Sequence, residues 1–352
     1  MKIKPDHEKL SYMGRIDWSC RKEPAFIFPC TSVCMRFTGN MLKLHVKNRR
    51  AYWDNYLGCI LDGRQTALLL PEDGPAVLEI PVEQTDKKEH ELTIFKRQDS
   101  CHEVRFLGVE IADGACLLDV PDKPGRKIEV YGDSVSAGEV SEAVAYTGRE
   151  DPEHNGEYSN CWYSYAWMTA RKLNAQIHDI AQGGMALLDG TGWFHEPDYI
   201  GMETAWDKVR YHPQLGPQLS WNFENYVPQL VIVALGQNDS HPEDYMKEDY
   251  SGEKAEKWRR HYQTFLGKLR EKYPKAHIVC CTTLLCHDPA WDRAIGQAVD
   301  EMGDNKITQY LFLRGGATPG HLRISEAEEM AQELSDYINK LNIEGWDQDD
   351  AE

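Results

Sequence analysis

Through the first third of the chain, apolar and polar positions alternate in short runs. Residues 41–46, 56–61, 76–82, 91–95 and 103–111 carry the period-two pattern of half-buried strands, and clusters of Gly, Pro, Asp and Asn separate them. No helical period intervenes, so the pattern predicts an all-β domain over 1–122, a sandwich or jelly-roll. A Pro/Gly-rich link over 120–126 follows, and the texture then changes. Apolar runs at 128–131, 175–180, 230–235 and 276–282, with a further one at 308–313, alternate with amphipathic stretches at 162–173, 253–273, 290–302 and 325–341. That alternation predicts a parallel sheet with helices on both faces, a three-layer α/β/α domain over 127–343. Ser325 and Glu328 have the spacing of a capping box for the last helix, and an acidic tail over 344–352 is expected to fray.

Bulk properties narrow the function classes. A chain of 352 residues exceeds the usual single domain, consistent with two. Its net charge of −18 repels phosphate backbones and anionic lipid, which argues against nucleic-acid and membrane partners. The most apolar run, 230–235, falls far short of a membrane span. The first residues, MKIKPDHEKLSYMGRID, lack an apolar signal core, so a cytoplasmic location is expected, with the ten cysteines as free and mostly buried thiols. There is no CxxC pair, and Cys30 and Cys34 lack a second ligand pair, so no metal site is expected.

Four short blocks carry the chemistry. At 128–138 an apolar strand runs into Gly132-Asp133-Ser134 and then small residues; a nucleophilic hydroxyl belongs at such a strand end, where the next helix start favours negative charge. At 179–185 a strand ends at Gly183 and Gly184, and the Gly183 N–H is the preferred candidate to donate to an oxyanion. At 230–239 the buried strand turns at Asn238, whose amide could donate likewise, while Asp239 holds the loop or caps the next element. At 317–325, His321 sits on a loop just before the last helix, placed to take the Ser134 proton.

In series, these blocks resemble the SGNH (GDSL-type) hydrolase superfamily through Ser134, Gly183, Asn238 and His321, over roughly 127–341. With the β-rich front added, the whole chain resembles carbohydrate esterase family 2, in which a jelly-roll precedes the SGNH domain. The resemblance implies a serine esterase that removes acetyl groups from plant polysaccharides such as xylan and glucomannan. Ser134 would be nucleophile and His321 base, the Ser134 and Gly183 N–H groups and Asn238 would form the oxyanion hole, and no cofactor would be needed. The superfamily pattern places Asp three residues before the His, where this chain has Thr318. That departure implies a Ser–His dyad, with the imidazole held by a carbonyl or another nearby acid. Trp193, Trp206 and Trp221, in the long stretch between the second and third blocks, are candidates for stacking on sugar rings. His287 and Asp288 end a strand close to this region and are read as loop residues. Two other readings share the same residues: an esterase of lipid or small acyl esters, and a glycan-binding protein whose hydrolase half has decayed. The front domain could bind sugar, wall the active site or mediate assembly.

Overall fold

The structure, a computed structural model, describes residues 1–82 and 89–346. The front half consists of two antiparallel sheets packed face to face. One joins Lys2–Ile3, His102–Ile111, Leu42–Arg50 and Gly74–Ile80 in that order, with Ala25–Phe26 also pairing to His102–Ile111. The other runs Leu117–Leu118, Ser32–Thr38, Glu89–Lys96, Tyr56–Leu61 and Arg64–Leu69, with Ser11–Met13 beside Ser32–Thr38. Alternation places Leu42, Leu44 and Val46 inward against Phe37, Ile94 and Phe106, while Lys43, His45 and Lys47 face outward.

The second half is a parallel sheet in the order Ala175–Ala181, Arg126–Gly132, Leu230–Ala234, His277–Cys281, Ile307–Gln309. All five residues of Leu230–Ala234 are buried, as a central strand covered on both faces requires. Its side chains alternate between two cores. Val231 and Val233 pack with Trp258, Phe265 and Trp291 of the helices Glu253–Lys272 and Pro289–Met302. Leu230, Ile232 and Ala234 pack with Ala166, Met330 and Leu334 of the helices Tyr165–Lys172 and Ile324–Ile338. Together these are the all-β front and three-layer α/β/α back that the patterning predicts.

Local boundaries differ where caps decide them. The helix expected over 162–173 begins at Tyr165, because the Ser164 hydroxyl accepts from the Trp167 N–H and ends a preceding 3₁₀ turn at Cys161–Tyr163. The last helix starts at Ile324, and the Glu326 carboxylate accepts from the Arg323 N–H at 3.0 Å. The expected Ser325–Glu328 box does not form, and Glu328 pairs with Lys172. Part of the tail is packed rather than frayed: Trp346 is buried under the Arg126 guanidinium, and 347–352 lie outside the described residues.

Buried charge joins the two halves. Arg15, from the front segment, has no exposed surface and pairs with Glu129 on the Arg126–Gly132 strand at 3.3 Å. It also donates to the Trp206 carbonyl at 2.7 Å, and Tyr131 and Tyr273 donate to Glu129 at 2.5 and 2.8 Å. Burial alone would push Glu129 up; Arg15 and His178 outweigh it and hold the carboxyl down at about 2. All ten cysteines are free, six of them buried.

Candidate active site

The strand Arg126–Gly132 delivers Ser134 at its carboxyl end. Gly132 is required there, since a Cβ would stand 2.0 Å from the Ser136 hydroxyl. Asp133 caps the one-turn helix Ser134–Ala137 by accepting from the Val135 N–H at 2.9 Å, and Gly138 ends the turn in the left-handed region. The Ser134 hydroxyl lies 2.8 Å from His321 Nε2, so the first and fourth blocks meet as expected.

The group behind the imidazole was not visible in the blocks. His321 Nδ1 is 2.5 Å from the Asp151 carboxylate, which also accepts from the His321 N–H and from Arg323, each at 2.8 Å. Of the two partners left open for the imidazole, a carbonyl or another nearby acid, the structure has the acid, which comes from the 143–151 loop and not from three residues upstream. Gly320, at φ 64°, lets that loop approach, because a Cβ would meet Asp151 Oδ1 at 2.7 Å. Thr318 is committed elsewhere. Its N–H donates to the Leu284 carbonyl at 2.9 Å and its hydroxyl contacts Arg314 at 2.6 Å. Burial would raise the Asp151 carboxyl, but the hydrogen bonds from His321 and Arg323 hold it well below the carboxylate range. Burial would lower His321, and it is outweighed by Asp151, Glu139 and Asp133, so the imidazole is raised above its ordinary value.

Gly183 and Asn238 come to the same end of the sheet, each already engaged. The Gly183 N–H donates to Asp99 Oδ2 at 2.9 Å, and the Asn238 amide donates to Asp133 Oδ2 and the Met185 carbonyl, both at 3.1 Å. A Cβ at Gly183 would lie 2.7 Å from Glu139 Oε2 and 2.9 Å from Asp99 Oδ2, so any side chain there would displace these two carboxylates. Glu139 Oε2 is 3.9 Å from His321 Nε2. Burial pushes Asp133 up to about 6 and Glu139 up to about 7, with Asp99 and Asp151 adding to the latter. Asp239 reaches across to the segment after the second block, accepting from the Leu187 and Leu188 N–H groups at 2.8 and 3.1 Å.

Asp99 follows the Glu89–Lys96 strand, and it also accepts from the Gln182 side chain at 2.6 Å, which in turn donates to the Tyr52 hydroxyl at 3.2 Å. The front domain thus forms one wall of the site. No motif flags Asp151, Asp99 or Glu139; the acid-rich stretch around Glu150-Asp151 resembles an ordinary solvated loop.

The three tryptophans part company. Trp193 is 60% exposed, packs against the Gly184 turn and stacks on His241 at 3.4 Å, three residues past Asn238. Trp206 is corrected to a core residue, buried against Phe223 and Phe265. Trp221 is also displaced from the site: it lines a groove at the opposite end of the sheet. His287 turns to Asp292 at 3.2 Å.

Fold and residues together give an SGNH-like α/β domain behind a β-sandwich. In the front half, residues 12–121 match the family described as "Carbohydrate esterase 2 N-terminal". The chain is 28% identical to the cellulase/esterase CelE of Acetivibrio thermocellus over 97% of its own length, and spans 40% of that relative's. It is 25% identical to the acetylxylan esterase / glucomannan deacetylase of Cellvibrio japonicus, covering 94% of this chain and 88% of that one. Among solved structures, a family two carbohydrate esterase from Clostridium thermocellum in complex with cellohexaose superposes with a TM-score of 0.78 at 26% identity, over 96% of this chain and 99% of the other.

Proposed function

We propose that this protein is a serine esterase that removes O-acetyl groups from plant polysaccharides such as xylan and glucomannan. The observation that carries the reading is the relay from Ser134 to His321 Nε2 at 2.8 Å and from His321 Nδ1 to Asp151 at 2.5 Å. The substrate class rests on the likeness to an acetylxylan esterase / glucomannan deacetylase.

In this reading Ser134 Oγ attacks the acetyl carbonyl carbon as His321 Nε2 takes the hydroxyl proton. Asp151 fixes the tautomer with the proton on Nδ1 and stabilises the imidazolium that forms. The tetrahedral oxyanion is met by the Ser134 N–H at a helix start, and by the Gly183 N–H and Asn238 amide, which exchange Asp99 and Asp133 for it. Burial, which raises the Asp133 and Glu139 carboxyls, disfavours their charged forms and so lessens the negative charge facing that oxyanion. Collapse passes the proton from His321 to the sugar oxygen, and the alcohol leaves. Water, deprotonated by His321, then attacks the acetyl-Ser134 ester and releases acetate. The exposed shelf of Trp193 stacked on His241 supports a sugar ring beside Asn238.

The test is acetate release from acetylated xylan, acetylated glucomannan and an aryl acetate, for wild type and Ser134→Ala. Release from the polysaccharides that vanishes in the variant is the expected result. Aryl acetate turnover without polysaccharide release would keep the esterase and remove the glycan.

A further inference from the structure

A groove of about 830 Å³ opens where the front segment crosses the amino ends of the first two parallel strands. Lys127 lies near the start of Arg126–Gly132, and Gln176 and His178 near that of Ala175–Ala181, so the groove is at the opposite edge of the sheet from Ser134. Five residues of strand separate Lys127 from Gly132, about 16 Å at the usual rise.

Aromatic rings wall it. Trp18 is 40% exposed and stands edge-on to Tyr12, with ring centroids 4.9 Å apart. Across the groove are Trp221, whose indole N–H has no partner among the described residues, and Tyr226, stacked on His178 at 3.6 Å. Three cations, Arg21, Lys123 and Lys127, line the same space; Lys123 donates to the Tyr12 carbonyl and Lys127 lies 5.7 Å from the Tyr226 ring centroid, and none forms an ion pair among the described residues. The single carboxylate on the lining is Asp6. In a chain of net charge −18, three cations left without counter-ions beside exposed rings are a local inversion of sign.

We propose that this groove is a second glycan site, separate from the catalytic one, that binds a uronate-bearing sugar. The flat faces of Trp18 and Tyr12 receive pyranose rings, and Lys127, Lys123 and Arg21 receive the carboxylate through charge-assisted hydrogen bonds. A polysaccharide carrying both acetyl and uronate groups would then be held by its acidic side groups on one edge of the sheet while acetyl esters reach Ser134 on the other. The idea rests on the plant-glycan reading of the catalytic site.

The experiment is calorimetric titration of the full chain carrying Ser134→Ala with an unacetylated glucuronate-substituted xylo-oligosaccharide, neutral xylotetraose and inorganic phosphate. Preference for the uronate ligand by about tenfold, weakening with salt, is expected. Lys127→Glu should erase the preference and Trp18→Ala should weaken the uronate ligand by a similar factor, with unchanged thermal midpoints showing both folded. Equal affinity for charged and neutral sugars, or a preference that survives both substitutions, would overturn the site. Phosphate binding as tightly as the oligosaccharide would overturn the sugar assignment. Acetate release, measured separately on wild type, reports on the catalytic reading alone: uronate binding without deacetylation sinks only that reading, and deacetylation without uronate binding sinks only this one.

Discussion

The two edges of the parallel sheet are built on opposite terms. At the carboxyl edge, Asp99, Asp133, Glu139 and Asp151 surround Ser134 and His321, and all but Glu139 accept from named donors there: Gly183 N–H, Gln182, Gln237, Asn238, His321 and Arg323. At the amino edge, Arg21, Lys123 and Lys127 face an open groove with no ion pairs among the described residues. A network whose members hold one another's orientation loses function sharply when one is truncated. Charges without counter-ions in a groove contribute little until something binds them.

The largest effect expected on this contrast is at Asp151. Asp151→Ala should lower kcat by up to ~10⁴-fold by releasing the imidazole tautomer. Asp151→Asn should in addition move the acid limb of the pH–rate profile downward. The sign follows from the structure. His321 must be neutral to act as base, and its value is raised by Asp151, Glu139 and Asp133 against burial, so removing one carboxylate charge lowers it. A profile that kept its limb, or rose, would detach Asp151 from His321.

Truncating the joint between the halves comes next. Arg15→Met should destabilise the chain by ~3–5 kcal/mol, because Glu129 would be left charged and buried without its partner; denaturant unfolding measures it. Asn238→Ala should cost ~10²–10³ in kcat with little change in KM, the signature of a donor used in the transition state. Equal losses in binding would make the amide a ground-state contact and leave the oxyanion hole to the backbone.

At the small end, the tryptophans and the groove cations separate cleanly. Trp193→Ala should raise KM for an acetylated oligosaccharide more than for an aryl acetate, by a factor of about ten or less. Lys127→Ala, at the uncommitted edge, should shift stability by no more than ~0.5 kcal/mol. A larger loss there would show that Lys127 supports the fold through the Tyr226 ring beneath it.

How much of this was legible follows the same division. The four blocks could be read because each is a local event: an apolar strand, a glycine or polar turn, a helix start. Period and turn chemistry reported those events, and the sheet placed all four at one edge. The orienting acid could not be read. Asp151 reaches His321 across 170 residues of sequence, through a loop without period, and Gly320 as its clearance is intelligible only once both loops are in place. Nor could the Gly183 N–H be seen to face Asp99, a residue of the other domain. Among the tryptophans, composition gave three equal candidates, and only packing distinguishes the shelf at Trp193, the core ring of Trp206 and the groove wall of Trp221. The helix starts at Tyr165 and Ile324 differ for a smaller reason: the Ser164 cap and the Glu326 carboxylate, rather than the apolar period or the Ser325–Glu328 spacing, decide where the helices begin.

The most direct test of the account is covalent. Wild type and Ser134→Ala would be treated with a fluorophosphonate and their intact masses and peptides measured, with circular dichroism confirming that both are folded. The relay of Ser134, His321 and Asp151 predicts one adduct, on Ser134, absent from the variant and slowed in Asp151→Ala. A folded wild type that takes no label, or takes it elsewhere, would contradict an activated Ser134 and return the chain to a glycan-binding role.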